Sequence, residues 1–224
     1  MDPFVIVSAT QKSPEEFNQT LLFRSLTLLP EGMYILDVSF NNTKGLPQVY
    51  NEAVQKHQHK PISGYLFMHD DVLIEDGFAL GKIYQAWQKS HVLGCAGGSK
   101  FDSSDPYWMS AGREFASGCV WHKEESGQRF AHSWGATPAR CMVMDGLFLA
   151  VRKDVFDTDL RWDERFTFHH YDLDFCLQAN EQGLVCCTIP LHVFHGSHGN
   201  YECTEWYDSA EVFKMKWNKH EEAN

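Results

Sequence analysis

Tyr65-Leu66-Phe67-Met68-His69-Asp70-Asp71-Val72 is an apolar run that ends in a histidine and two carboxylates. Short apolar runs rich in aromatic and branched residues form buried strands. Such a strand has no use for two adjacent acids unless its end opens into a cleft. Like charges side by side repel, and burial sharpens the repulsion unless a cation, hydrogen bonds or water offset it. The stretch therefore reads as a sheet strand delivering Asp70 and Asp71 to a metal site at its C-terminal end. The plainer reading is a solvated strand end with helix-capping aspartates.

Strand-like runs lie on either side of it: Phe4 to Thr10, Met33 to Val38 running into Ser39–Thr43, and Val92 to Gly98. Helical patterns separate them. Ser13, Pro14 and Glu16 form a capping-box start, with Phe17, Leu21 and Leu28 at helical spacing behind it. Leu46-Pro47 opens a second helix to about His57, which carries Asn51, and Leu80, Ile83 and Trp87 mark a third. This alternation predicts an α/β domain with a mainly parallel sheet. Ligands bind beyond the carboxyl ends of such strands, where Thr10, Asn41, Asp70 and Asp71 fall. The sequence contains neither G-x-G-x-x-G after the first strand nor G-x-x-x-x-G-K-[ST] anywhere. A bound nucleotide would need another positive partner for its phosphates, most simply a divalent metal held by the acids.

Composition narrows the class. The 224 residues are 43% hydrophobic and 22% charged, which suits one large globular domain of one or two lobes. A formal net charge of −11 without a Lys/Arg block disfavours nucleic acid and anionic membranes as partners. No apolar run approaches the roughly 20 residues of a membrane span, and no signal peptide is evident at the start. Seven cysteines without a C-x-x-C pair argue for a reducing, cytoplasmic compartment and against structural zinc.

Residues 99–140 read as irregular structure or short strands, rich in aromatics that either stack on sugar rings or plug the core beneath loops. Cys141 to Gly146 and Leu147 to Val151 return to strand character, and Arg152 to Phe156 is a helical turn. Asp172 and Asp174 sit at the start of a helix that ends before Gly183, where acids are favoured by the dipole alone. Asp172 follows the run Phe168-His169-His170-Tyr171. A carboxylate screened from water there could serve as a general base. His192, His195 and His198 recur at spacing three near glycines. A histidine nitrogen beside a carboxylate suits Mn²⁺ better than Mg²⁺, with either open. Trp206, Ala210, Phe213 and Trp217 lie on one face of a last helix that packs on the body or meets a membrane surface or partner.

Taken in order, Asn51-Glu52-Ala53, Phe67-Met68-His69-Asp70-Asp71, Asp145-Gly146 running to Arg152, Tyr171-Asp172-Leu173-Asp174 and Val193-Phe194-His195-Gly196 resemble the family 2 glycosyltransferases with the GT-A fold. The resemblance covers nearly the whole chain. It implies a mixed, mainly parallel sheet flanked by helices in a single domain. Residues 1–98 would bind the nucleotide-sugar; residues 99–224 would bind the acceptor and carry catalysis. It implies a metal-dependent, inverting transfer from a nucleotide-diphosphate sugar, UDP favoured, to a hydroxyl on a glycan, glycolipid or glycoprotein. Asp71 and His195 would hold Mn²⁺ or Mg²⁺, and Asp172 would be the base. Ser8, Ala9, Thr10, Asp37, Asn41, Asn42, Asn51, His69, Asp70, Asp145 and Gly146 would surround the nucleotide-sugar. Tyr171 stands where the family usually has an acid, and His69 leads the acidic motif, with its role open between metal, ribose and neither. Two other readings remain: a nucleotidyltransferase that makes the nucleotide-sugar, and a non-catalytic carbohydrate-binding module on the same fold.

Overall fold

Strands β1 (Phe4–Ala9), β2 (Tyr34–Ser39) and β3 (Gly64–Met68) pair in parallel, with β1 in the middle. Phe4, Val5, Ile6 and Val7 are fully buried, as a central strand covered on both faces requires. The computed structural model describes residues 1–197, 199 and 201–218, so His198 lies outside the described residues. The capping box forms as expected at α1 (Pro14–Phe17), but the helix stops there. Thr20 starts a second helix, α2 (Leu21–Leu26), by accepting from the Phe23 amide at 3.1 Å. Helix α3 (Leu46–His57) lies against β1 and buries Val49, Tyr50, Ala53 and Val54.

The sheet extends beyond β3 in a way local periodicity does not reveal. Strand β11 (Phe148–Arg152) inserts antiparallel between β3 and β5 (Val92–Gly94). Its residues Phe148 to Val151 are fully buried, so it can be covered on both faces. Gly64 lets it approach: a Cβ there would lie 2.5 Å from both the Trp87 ring and the Val151 carbonyl. β12 (Cys186–Thr188) and β9 (Arg140–Cys141) complete the order β2-β1-β3-β11-β5-β12-β9. The expected mixed α/β fold is present. Its parallel pairs are β1–β2, β1–β3 and β5–β12, and the other three pairs are antiparallel.

A second sheet runs β10 (Val143–Met144), β6 (Ala96–Gly98), β7 (Ala116–Lys123), β13 (Val193–His195), β4 (Val72–Ile74), with β8 (Arg129–Gly135) also on β7. The run from Val92 to Gly98 breaks at Cys95 and passes from one sheet to the other. Residues 99–140 are more regular than their composition suggests, because they contain the β7–β8 hairpin. Its pattern is masked by the bulge at Gly118/Cys119 and by the exposed, mixed face of β8. Gly118 has φ 122°, and a Cβ there would collide with the Cys95 carbonyl. Helix α4 (Ala79–Ala86) buries Ala79, Leu80 and Ile83 in the core. The last two helices are α5 (Tyr171–Glu181) and α6 (Thr204–Trp217). Asp174 on α5 is fully buried and clamps α6. It accepts from Lys216 at 2.6 Å, from Trp217 Nε1 at 2.9 Å and from Gln178 at 2.7 Å. No helix among the described residues is long and apolar enough to cross a membrane.

Candidate active site

The ends of β1, β3 and β13, the start of β11 and the first turn of α5 open on one cavity of about 310 Å³. Ala9, His69, Asp70, Asp71, Asp145, Gly146, Asp172 and His195 line it. Thus residues separated by more than 180 positions meet because strands of both polarities terminate along one edge.

On the β1–β3 side, Asp70 is tied down by the Thr10 hydroxyl at 2.6 Å and the Lys12 ammonium at 2.9 Å. The loop after β2 braces this corner: the Asn41 amide donates to the Lys12 carbonyl and the Asn42 amide to the Thr10 carbonyl. Asn41 adopts a left-handed φ of 47°, which asparagine tolerates better than most residues. Ser8 is fully buried inside the sheet, with a side-chain oxygen that has no hydrogen-bond partner. Of the expected donor-site residues, Ser8, Thr10, Asp37, Asn41, Asn42 and Asn51 are not among those that line the cavity. Asp37 is held by Lys56 and His57, each at 2.8 Å. Asn51 brackets the Trp162 peptide, donating to its carbonyl at 2.9 Å and accepting from its amide at 3.1 Å.

Beside Asp70, one ligand atom each from His69, Asp71 and His195 lie within 4.8 Å of one another. The Asp71 Oδ1 atom is buried without a hydrogen bond and faces His195 Nε2 at 3.4 Å. Burial would raise the Asp71 pKa, but its pairing with the His195 imidazole holds it well below the usual carboxylate range. Burial alone would lower the His195 pKa; Asp71 overrides it, and the imidazole is pushed above its ordinary value. Burial lowers the His69 pKa and keeps that ring neutral. An orphaned carboxylate oxygen among two imidazoles is a donor set that fits a divalent cation of the Mn²⁺ type. Sequence reasoning left His69 unassigned, since its partners Tyr171 and His195 are more than 100 positions away.

Asp172 lies in the first turn of α5, which His170 enters from a left-handed conformation, φ 62°. Its Oδ2 accepts from the Gly146 amide at 2.7 Å and its Oδ1 from the Leu173 amide at 2.9 Å. Burial, followed by repulsion from Asp145, raises its pKa to about 7, against the opposing effect of those amides. A carboxylate poised near neutrality is suited to accept a proton at physiological pH.

A side chamber of about 200 Å³ shares Tyr107, Trp108, Asp145, His195 and Tyr201 with the main cavity. Trp108, His122, His132 and Trp134 form its inner wall, and Trp108 meets Trp134 edge-on at 5.1 Å. Among the described residues, neither lysine nor arginine lines it. The clustering of histidine and tryptophan in residues 107–134 was the sequence signal for this wall, but the hairpin that builds it was not visible there.

Comparison with known proteins agrees with this architecture. The model of a family described as "Glycosyltransferase like family" matches residues 5–217. Among solved structures, the crystal structure of A197 from STIV is similar with a TM-score of 0.51 and 8% identity, covering 86% of this chain and 85% of that one. The structure of GalNAc-T7 with UDP, GalNAc and Mn²⁺ is similar with a TM-score of 0.56 and 9% identity. That match covers 98% of this chain but 49% of GalNAc-T7, so the chain spans about half of that protein. No curated protein matches the chain.

Proposed function

The chain belongs to the glycosyltransferase-like family whose model spans residues 5–217, and from that premise we propose that it moves a sugar from a UDP-sugar to an acceptor hydroxyl with inversion, aided by a divalent cation. The observation that carries this reading is the meeting, in one cavity, of the His69–Asp71–His195 group with an Asp172 carboxyl raised to about 7. His69, Asp71 and His195 would hold the cation, Mn²⁺ in preference to Mg²⁺ because two of the donors are imidazoles. When bound, the cation would neutralise the diphosphate and so make it a better leaving group.

The protein's own groups do the rest. Ala9 and Asp70, with Thr10, Asn41 and Asn42 bracing them from behind, would form the wall against which the nucleoside rests. Asp172 takes the proton of the acceptor hydroxyl as its oxygen attacks the anomeric carbon. The bond to the diphosphate breaks on the opposite face, so a single displacement inverts the centre. Asp145 keeps Asp172 a strong enough base at neutral pH by disfavouring a second negative charge beside it. The test is a panel of nucleotide-sugars incubated with Mn²⁺ and simple glycosides, with nucleotide release measured. Release from at least one UDP-sugar that stops on chelation is expected. No consumption of any nucleotide-sugar, or release indifferent to chelation, would contradict the reading.

The side chamber suits the ring of a neutral sugar. Aromatic faces stack on the C–H side of a pyranose, the histidines can hydrogen-bond its hydroxyls, and Asp145 disfavours an anion. Trp134→Ala is expected to raise the KM for sugar substrate about tenfold, the equivalent of ~1.4 kcal/mol, and to leave the affinity for UDP itself unchanged. Equal loss for UDP and UDP-sugar would instead mean a general collapse of the wall.

Cation binding should also report on protonation. In the metal-free protein Asp71 favours a charged His195, and that proton must leave before the nitrogen can coordinate. Because the folded pKa of His195 is raised, Mn²⁺ affinity is expected to climb with pH, by up to about tenfold per unit, until His195 is neutral. Calorimetry in buffers of different ionisation enthalpy should find about one proton released per ion near pH 6. An affinity flat from pH 5.5 to 8 would remove His195 from the ligand set.

A further inference from the structure

Tyr171 stands between the cation-binding group and the base, and neither role accounts for it. It is 3% exposed, and its hydroxyl lies 3.0 Å from His69 Nε2 and 3.0 Å from the Gly146 carbonyl oxygen. A hydroxyl has one proton to give, and a carbonyl oxygen can only accept. With both contacts made, the Tyr171 proton goes to Gly146 and the proton in the second bond must come from His69 Nε2. The reverse assignment would strip a buried carbonyl of this donor, which is unfavourable. We propose that Tyr171 is a positioning residue: its hydroxyl fixes His69 as the Nε2–H tautomer, so that Nδ1 presents its lone pair to the cation.

The surroundings hold the arrangement in place. Phe168 stacks on the His69 ring with centroids 5.9 Å apart, and Tyr50 and Trp162 pack against the Tyr171 ring. Position 146 must be glycine, because a Cβ there would collide with the Tyr171 hydroxyl and lie 2.9 Å from Asp172 Cβ. Gly146 also links the two halves of the site. Its carbonyl accepts from Tyr171, which orients a cation ligand, while its amide donates to Asp172 Oδ2 at 2.7 Å. The base and the ligand are therefore set by opposite ends of one residue. Hydrogen-bond partners behind a ligating histidine fix its tautomer and ring orientation, and their loss typically weakens metal binding 10- to 100-fold.

This proposal rests on the cation reading above, and its test does not depend on turnover. Nitrogen shifts of ¹⁵N-histidine protein at pH 8 without metal should show His69 as the Nε2–H form. In Tyr171→Phe, which keeps the ring and its packing, both tautomers should be populated and Mn²⁺ affinity should fall by about 10- to 100-fold. In a His69→Ala background the same change should alter Mn²⁺ affinity less than twofold. Three results would overturn the proposal: a Nδ1–H form in the unaltered protein, an affinity in Tyr171→Phe within twofold of the parent, or an undiminished loss in the His69→Ala background. Mn²⁺ binding without consumption of any nucleotide-sugar would refute the transferase reading and leave the role of Tyr171 intact.

Discussion

Asp172→Asn is expected to lower the rate of sugar transfer by about a thousandfold, within the range removed with a general base, while Mn²⁺ and UDP bind within about twofold of normal. The amide keeps the size and the ability to accept from the Gly146 N–H, but cannot take a proton at neutral pH. The same residue should set the acid side of the pH–rate profile. An ordinary aspartate ionises near 3.9 and would leave the rate flat from pH 5 to 8. Asp172 has its pKa raised to about 7 by burial and by Asp145. The base works only when ionised, so the rate should fall about tenfold for each unit below that midpoint and level off above it. A variant retaining more than a tenth of the rate, or a flat profile through pH 6, would take Asp172 out of the mechanism.

Asp71→Ala should have the largest effect on binding. Asp71 supplies the single carboxylate in the group with His69 and His195, and its buried Oδ1 has no other hydrogen-bond partner. Without it, two imidazoles remain, one of them free of the charge that now stabilises its protonated form. Mn²⁺ affinity is expected to fall by more than about a hundredfold, beyond the loss typical of an outer-shell change. UDP-sugar affinity should follow it down, since the diphosphate would lose its positive partner. Titration by calorimetry, or by the paramagnetic signal of free Mn²⁺, reads this directly. Unchanged nucleotide affinity in Asp71→Ala would mean that the diphosphate is held without a cation at this place.

Local elements were legible in the sequence along most of the chain, but how the second half joins the sheets was not, for a physical reason. Strands such as Phe4–Ala9, the capping box at Ser13 and the helix from Leu46 are specified by contacts within a few residues. The insertion of Phe148–Arg152 between two earlier strands depends on pairing across 55 to 88 positions, and any fully apolar run could have filled that slot. The β7–β8 hairpin hid behind a bulge and an exposed face. Within the site, Asp70 and Asp71 stood out as adjacent acids at the end of an apolar strand, whereas Asp172 and His195 took their roles from the motif order shared with the glycosyltransferases, and the fold brings all four to one cavity. Asp37 and Asn51 carry the same types of polar group, yet they bond Lys56, His57 and Trp162 away from it. Which polar group faces a cavity is decided by tertiary neighbours. That is also why the His69–Tyr171–Gly146 chain, joining positions up to 102 apart, has no local signature.

The most direct test of the account is anomalous diffraction at a Mn²⁺-sensitive wavelength from crystals grown with Mn²⁺ and UDP. The expected result is one strong anomalous peak among the His69, Asp71 and His195 side chains, with Tyr171 still bonded to His69 Nε2. A peak at other carboxylates, or UDP bound in the cavity with no ion between these three side chains, would contradict it.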